Sequence, residues 1–341
     1  MNITMKINIF KYFIVTVAAM SMVCSCDRHS IETPQEDTLS AIEFSNVSTK
    51  ASLSDLQTNG FGVWAFIDNA TVNNSLIMDN TKVTYNSTTG LWEYSPLRYW
   101  VDDSEFTFVA VYPYEENGAS YTLDAENANV KISISGTSEQ VDYLITNTVI
   151  DTSVDGYSET VDLQFEHALT SVGLHIWRDG GKHQNDQMRI KKVTLTNIRK
   201  GGAYSCITGI WTPSNEKITL EKIYEEGSED DNIGAAIVTD DGTLTIGGIP
   251  ADPFGDVMLI PQTIDASMVS LKILYELKRQ NAADWEQAEL ETYLPSGTWE
   301  PNRRYTYNVV LSSVTDITIY YIQTKVDPWG TPQVGGTVII K

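Results

Sequence analysis

Along most of the chain, short apolar runs and strict two-residue alternation are broken by clusters of Gly, Asn, Asp and Ser, the pattern of strands joined by turns. Residues 42–44 and 61–67 predict the first strands, and Val83, Thr84 and Tyr85 run through a turn at 86–90 into Leu91 and Trp92 as a hairpin. Residues 105–112 are apolar on both parities apart from Thr107, which predicts a central strand covered on both faces and ended by Pro113. Val130, Ile132 and Ile134 alternate with Lys131, Ser133 and Ser135, so that strand buries one face, and 141–150 supplies another strand. Val161, Leu163, Phe165, His167 and Leu169 share a face, after which the apolar positions shift to Val172, Leu174 and Ile176. Such a change of parity requires a bulge or break near Thr170 and Ser171.

Further strands are predicted at 188–198, 203–210, 217–224, 234–238, 243–246, 257–260, 268–277, 289–294, 304–311 and 317–326. This spacing suits a β-sandwich and not a βαβ repeat. Helical periodicity is nearly absent; the best stretch, 281–288, lies between two strand-like runs and reads equally as a hairpin connection. The expectation is an all-β protein with two tandem β-sandwich domains, 41–157 and 158–341, divided at the turn-rich segment 151–158.

The first 40 residues follow a different pattern. Lys6 and Lys11 stand without an acidic neighbour before a largely apolar run, 12–23, which together read as an export signal covering residues 1–25. The run is shorter than the roughly 20 apolar residues a membrane span needs. Val23-Cys24-Ser25-Cys26 resembles a bacterial lipoprotein box, with Cys26 as the acylated residue because it follows the small Ser25 where Cys24 follows Val23. A plain secretory signal cut near Ser25 is the other reading. Residues 26–40 are polar, with no face to bury, and read as a tether.

Charge and composition narrow the function classes. The formal charge is −22, and becomes −24 once Lys6 and Lys11 leave with the signal, so nucleic acid and anionic headgroups are poor partners. With Cys24 removed and Cys26 acylated, only Cys206 remains, and no internal disulfide can form. No Gly-x-Ser-x-Gly elbow, His-Glu-x-x-His helix, Walker loop or Gly-x-Gly-x-x-Gly following a strand occurs, so no catalytic residue, cofactor or metal is assigned. His167 is expected to be a core histidine bonded to backbone, His175 lies on the polar face, and Cys206 reads as an inert buried thiol. The acidic clusters at 102–105, 225–231 and 240–241 lack the spacing of a calcium loop and read as solvated turns. Trp64, Trp92, Trp100, Trp177, Trp211, Trp285, Trp299 and Trp329 could build a sugar platform where exposed, although core or hairpin packing is the plainer reading.

Several short segments, in shared order, resemble the fimbrillin family, the Mfa-like surface lipoproteins of anaerobic Gram-negative bacteria. They are Cys26; Thr49-Lys50-Ala51; Phe61-Gly62-Val63-Trp64-Ala65; 106–114; Leu163-Gln164-Phe165-Glu166-His167-Ala168-Leu169; Leu259-Ile260-Pro261-Gln262; 299–307; and Val326-Asp327-Pro328-Trp329. The resemblance implies two transthyretin-like sandwiches, lipid anchoring in the outer membrane, and assembly into fimbriae with other subunits of the same or a related kind. It also implies removal of the first strand, here the one holding Ile42 and Phe44, by cleavage between Lys50 and Ala51, where the family often has Arg before the Ala. A neighbour's C-terminal strand would then fill the groove. Candidate donors are Ile317, Ile319 and Tyr321, or Val338 to Ile340. Asp37-Thr38-Leu39 resembles an O-glycosylation sequence of some gut anaerobes, with Thr38 as acceptor. The expected function is thus a fimbrial structural or adhesive subunit meeting a host or bacterial surface receptor. The alternative is a monomeric glycan-binding surface lipoprotein.

Overall fold

The computed structural model describes residues 40–49, 51, 53–114, 119–136, 140–181, 185–224, 233–238, 244–311 and 319–328. These residues all fall within one compact unit and are built almost wholly of strands, as expected.

In the first half the elements run β1 (Glu43–Thr49), helix α1 (Leu53–Asn59), β2 (Phe61–Asp68), β3 (Ser75–Asn86), β4 (Leu91–Glu93), β5 (Glu105–Tyr112), β6 (Ala119–Asp124), β7 (Asn129–Ile134), β8 (Leu144–Asp151) and β9 (Thr160–His167). Seven of them, in the order β1-β4-β3-β2-β5-β8-β9, close into a barrel because β9 returns to lie parallel to β1. Phe44, Phe61, Val63, Phe106, Phe108, Val161, Leu163 and Phe165 fill its interior.

β5 confirms the two-sided reading. Phe106, Phe108 and Ala110 point into the barrel, whereas Val109 and Val111 enter a second core with Trp64 and Phe66 of β2. Val130, Ile132 and Ile134 of β7 cover that outer face. The sequence gives no sign of α1, a seven-residue helix that buries Leu56 alone and is therefore too short to establish a period. Gly60, at φ +73°, ends it by donating its N–H to the Leu56 carbonyl, 2.8 Å away.

In the second half the strands are β10 (Thr170–Asp179), β11 (Gln187–Arg199), β12 (Gly202–Ser205), β13 (Ile210–Pro213), β14 (Lys217–Ile223), β15 (Ala235–Val238), β16 (Leu244–Gly247), β17 (Val257–Leu259), β18 (Gln262–Ile264), β19 (Ser270–Lys278), β20 (Glu286–Tyr293), β21 (Gly297–Trp299), β22 (Arg303–Leu311) and β23 (Ile319–Pro328). One sheet has the order β16-β15-β10-β22-β23 with β17 also on β10, and another the order β14-β11-β19-β20. Their inward residues, among them Val172, Leu174, Ile176, Val193, Leu195, Ile273, Tyr275 and Val309, form one sandwich core. Residues 281–285 are the hairpin connection ahead of β20, not a helix.

The parity break near Thr170 is a break between strands. β9 ends at His167, and β10 begins at Thr170 in a different sheet. The pairing therefore changes at 168–169, one strand later than the expected division after Tyr157, because β9 pairs with β1 and β8. The halves also share a sheet: β12 pairs with β7 in the order β13-β12-β7-β6, adding Tyr204 and Cys206 to the core around Trp64 and Val109.

Candidate functional site

Of the residues singled out for processing and exchange, Ala51, Ile42, Phe44, Ile319 and Tyr321 fall among the described residues, the last two within strand β23. Cys26, Thr38, Lys50, Ile317, Val338 and Ile340 lie outside them, as do Trp329 and the acidic clusters at 225–231 and 240–241.

β1 and the sockets it fills form the candidate site. Its alternation places Ile42 and Phe44 inward, 1% and 4% exposed, while Glu43 faces out. The Phe44 ring meets Tyr94 and Phe108 edge to face, with centroids 5.5 Å and 6.2 Å away. Phe44 lies opposite Trp92 of β4 on one side and Val161 of β9 on the other. Between Ser45 and Ser48 the register against β9 shifts: β1 spends one more residue than β9, a bulge. The bulge moves the inward parity from even to odd positions, and Val47 and Ala51 join the barrel core.

The backbone of β1 is held unevenly. Its pairing with β4 is limited to the one position at Phe44, because β4 is only three residues long. Ahead of β1, the Ile42 N–H donates to the Arg98 carbonyl at 2.9 Å, and the Tyr94 hydroxyl donates to the Ile42 carbonyl at 2.8 Å. Burial raises the Tyr94 hydroxyl above the usual phenol range. Most of the remaining pairing is parallel, to β9, and Ser45 Oγ donates to Asp162 Oδ1 at 3.0 Å. Past the strand, the Ala51 N–H donates to Thr49 Oγ1 at 3.0 Å. Ala51 borders a cavity of about 140 Å³ together with Asp55, Leu56 and Tyr112.

β23 is the edge strand of its sheet. It pairs with β22 from Arg303 opposite Pro328 to Leu311 opposite Ile319, with one shift near Val310. The other singled-out groups resolve as follows. His167 is a core residue, but its partner is a carboxylate where backbone was expected: Nδ1 lies 2.8 Å from Asp142 Oδ1. Cys206 is fully buried, and burial pushes its thiol well above the usual range, so the inert reading holds. Trp64, Trp100, Trp177 and Trp299 are buried. The half-buried three are occupied: Trp92 packs on Phe61 and Tyr85, Trp211 donates Nε1–H to the Ala168 carbonyl, and Arg189 lies over Trp285. Every described tryptophan is buried or half-buried.

A search among curated proteins finds no match. Among solved structures, a fimbrial protein from Bacteroides vulgatus superposes with a TM-score of 0.62 at 18% identity, over 85% of this chain and 99% of that chain. Candidate cell adhesion proteins from Bacteroides uniformis and Bacteroides ovatus match with TM-scores of 0.45 and 0.46 at 17% and 19% identity, each over 86% of this chain and 99% of the other. The fold likeness and the family match agree: the model of the fimbrillin-like family covers residues 49–329, and this chain belongs to that family.

Proposed function

We propose that the protein is a fimbrial structural or adhesive subunit, exported as a lipoprotein through Cys26 and assembled by strand complementation. In this reading, cleavage between Lys50 and Ala51 releases β1, and a neighbour's C-terminal segment fills the vacated groove. The observation that carries the proposal is the way β1 sits: two inward side chains in deep sockets, one paired position on β4, and a parallel ladder to β9. Burying Ile42 and Phe44 is worth roughly 1.5–3 kcal/mol each, so their loss leaves an apolar groove with open backbone groups along β9, a template for an incoming strand.

The donor is best sought beyond β23. Surrendering β23 would strip β22 of its partner along nearly its whole length. Val338 and Ile340 repeat the two-residue spacing of Ile42 and Phe44 and would reach the same sockets in register.

The test is treatment of the lipid-free protein with a trypsin-like protease, followed by denaturing electrophoresis without boiling and N-terminal sequencing. The expected result is a ladder of oligomers whose subunits begin at Ala51. Cleaved protein that stays monomeric would sink the assembly claim, and cleavage elsewhere with ladders intact would sink the assignment of Lys50.

A further inference from the structure

A cavity of about 500 Å³ opens where the barrel meets the second body of sheet. Two segments far apart in sequence, 163–169 and 299–307, meet at it. The end of β9 brings Glu166 and His167, the loop from β21 into β22 brings Glu300, Asn302 and Arg303, and Tyr204 of β12 also lines it.

The walls are set before anything enters. The Glu300 N–H donates to the Tyr305 hydroxyl at 3.0 Å, and the Asn302 N–H donates to the Leu169 carbonyl at 2.9 Å. The Arg303 carbonyl accepts from Thr170 Oγ1 at 3.1 Å. Asp142 orients the His167 ring through Nδ1. A site whose groups are already ordered loses less entropy when a ligand binds.

We propose that this cavity binds a neutral pyranose unit, such as one sugar of a surface glycan. Arg303 Nε and Glu300 Oε2 stand 3.9 Å apart, too far for a closed hydrogen bond. The pair therefore presents a donor and an acceptor side by side, as a vicinal diol requires, since each sugar hydroxyl both gives and accepts. Glu166 also lines the cavity, and Ile145, Pro301 and Tyr204 contribute apolar surface of the kind a sugar's C–H face needs. Asn302 Oδ1 sits in the wall without a hydrogen-bond partner among the described residues, and a turn of its side chain offers it to a ligand hydroxyl. An anionic ligand would face both glutamates. A metal ion would want more ligands, and no group of three His, Cys, Asp or Glu side chains assembles among the described residues. This inference does not depend on strand exchange, so either can fail without the other.

The experiment is saturation-transfer NMR on the lipid-free protein with the methyl glycosides of glucose, galactose, mannose and N-acetylglucosamine, each at about 10 mM, a level suited to Kd values of order 1 mM. Glucuronate and a short diamine serve as charged probes. The expected result is transfer to the ring protons of at least one neutral glycoside, weakened about tenfold by Glu300→Gln or by Arg303→Ala. Asn302→Gly is a third variant that keeps the backbone: Asn302 has φ +60°, which glycine adopts without strain. Circular dichroism checks that each variant folds, and amide shift changes in the parent protein give a second readout at Glu166, Tyr204 and Asn302. Absence of transfer from every neutral glycoside overturns the proposal. So does tighter binding of glucuronate or the diamine, binding unchanged in all three variants, or shift changes remote from the cavity.

Discussion

Phe44 shows how much one side chain decides. Its ring is shut between Tyr94 and Phe108 inside the barrel. Removing such a ring forfeits its transfer free energy and leaves a hole that the surrounding strands close only in part. Phe44→Ala is expected to lower the unfolding free energy of the uncut chain by about 3–5 kcal/mol, with an unchanged urea m-value. A loss under about 1 kcal/mol would mean that β1 contributes little to the barrel. That Phe44 faces inward is readable from alternation alone. The bulge after Ser45 is not, because it arises from a mismatch with β9, more than a hundred residues later in the chain. His167 divides in the same way: its buried face follows from Val161, Leu163 and Phe165, but its carboxylate partner at Asp142 depends on how β8 and β9 meet.

Among the elements, the contrast is between β1 and β5. β5 is paired along its length on both sides, to β2 and to β8, and its two faces enter two cores. β1 has a full-length neighbour on one side only, interrupted by the bulge. Local opening should therefore take β1 long before β5. In hydrogen-exchange mass spectrometry of the uncut protein, peptides covering 43–49 are expected to exchange at least about tenfold faster than those covering 105–112. Equal protection would argue against an exchangeable first strand. The apolar character of β5 on both parities announces two covered faces, but not that β7 and β12 provide the second cover. Helix α1 escapes notice for the opposite reason, since a single buried leucine makes no pattern.

For the whole molecule, the shared sheet β13-β12-β7-β6 and the core of Trp64, Val109, Ile132, Tyr204 and Ile260 tie the two halves together. Calorimetry should accordingly show one cooperative transition rather than two. Its midpoint should fall on the alkaline side, for a reason of sign. Burial raises the Cys206 thiol and the Tyr204 hydroxyl far above their usual values and the Tyr307 hydroxyl to about 12. These groups stay protonated in the fold while the unfolded chain releases their protons from about pH 8.5 for the thiol and about pH 10 for the phenols. The unfolded state then binds fewer protons, so stability is fully present below those values and declines as pH rises through them. A midpoint level from pH 8 to pH 11, on a rough scale set by those ordinary values, would show that these groups become solvated in the native protein.

By itself the sequence determined most of the strands, which of their side chains face in where no bulge intervenes, and the parity break near Thr170, because each depends on neighbours two positions away; short strands such as β6, β18 and β21, and the turn at 206–209 that divides β12 from β13, carry too little pattern to show. It also carried the segments by which the family can be recognised. Tertiary structure alone decided that β9 closes the barrel against β1, that β12 crosses to β7, and that Glu166 and Glu300 face one cavity. Strand pairing is a contest among many apolar ribbons of similar local character, settled by packing across the whole chain and written in no single stretch of it.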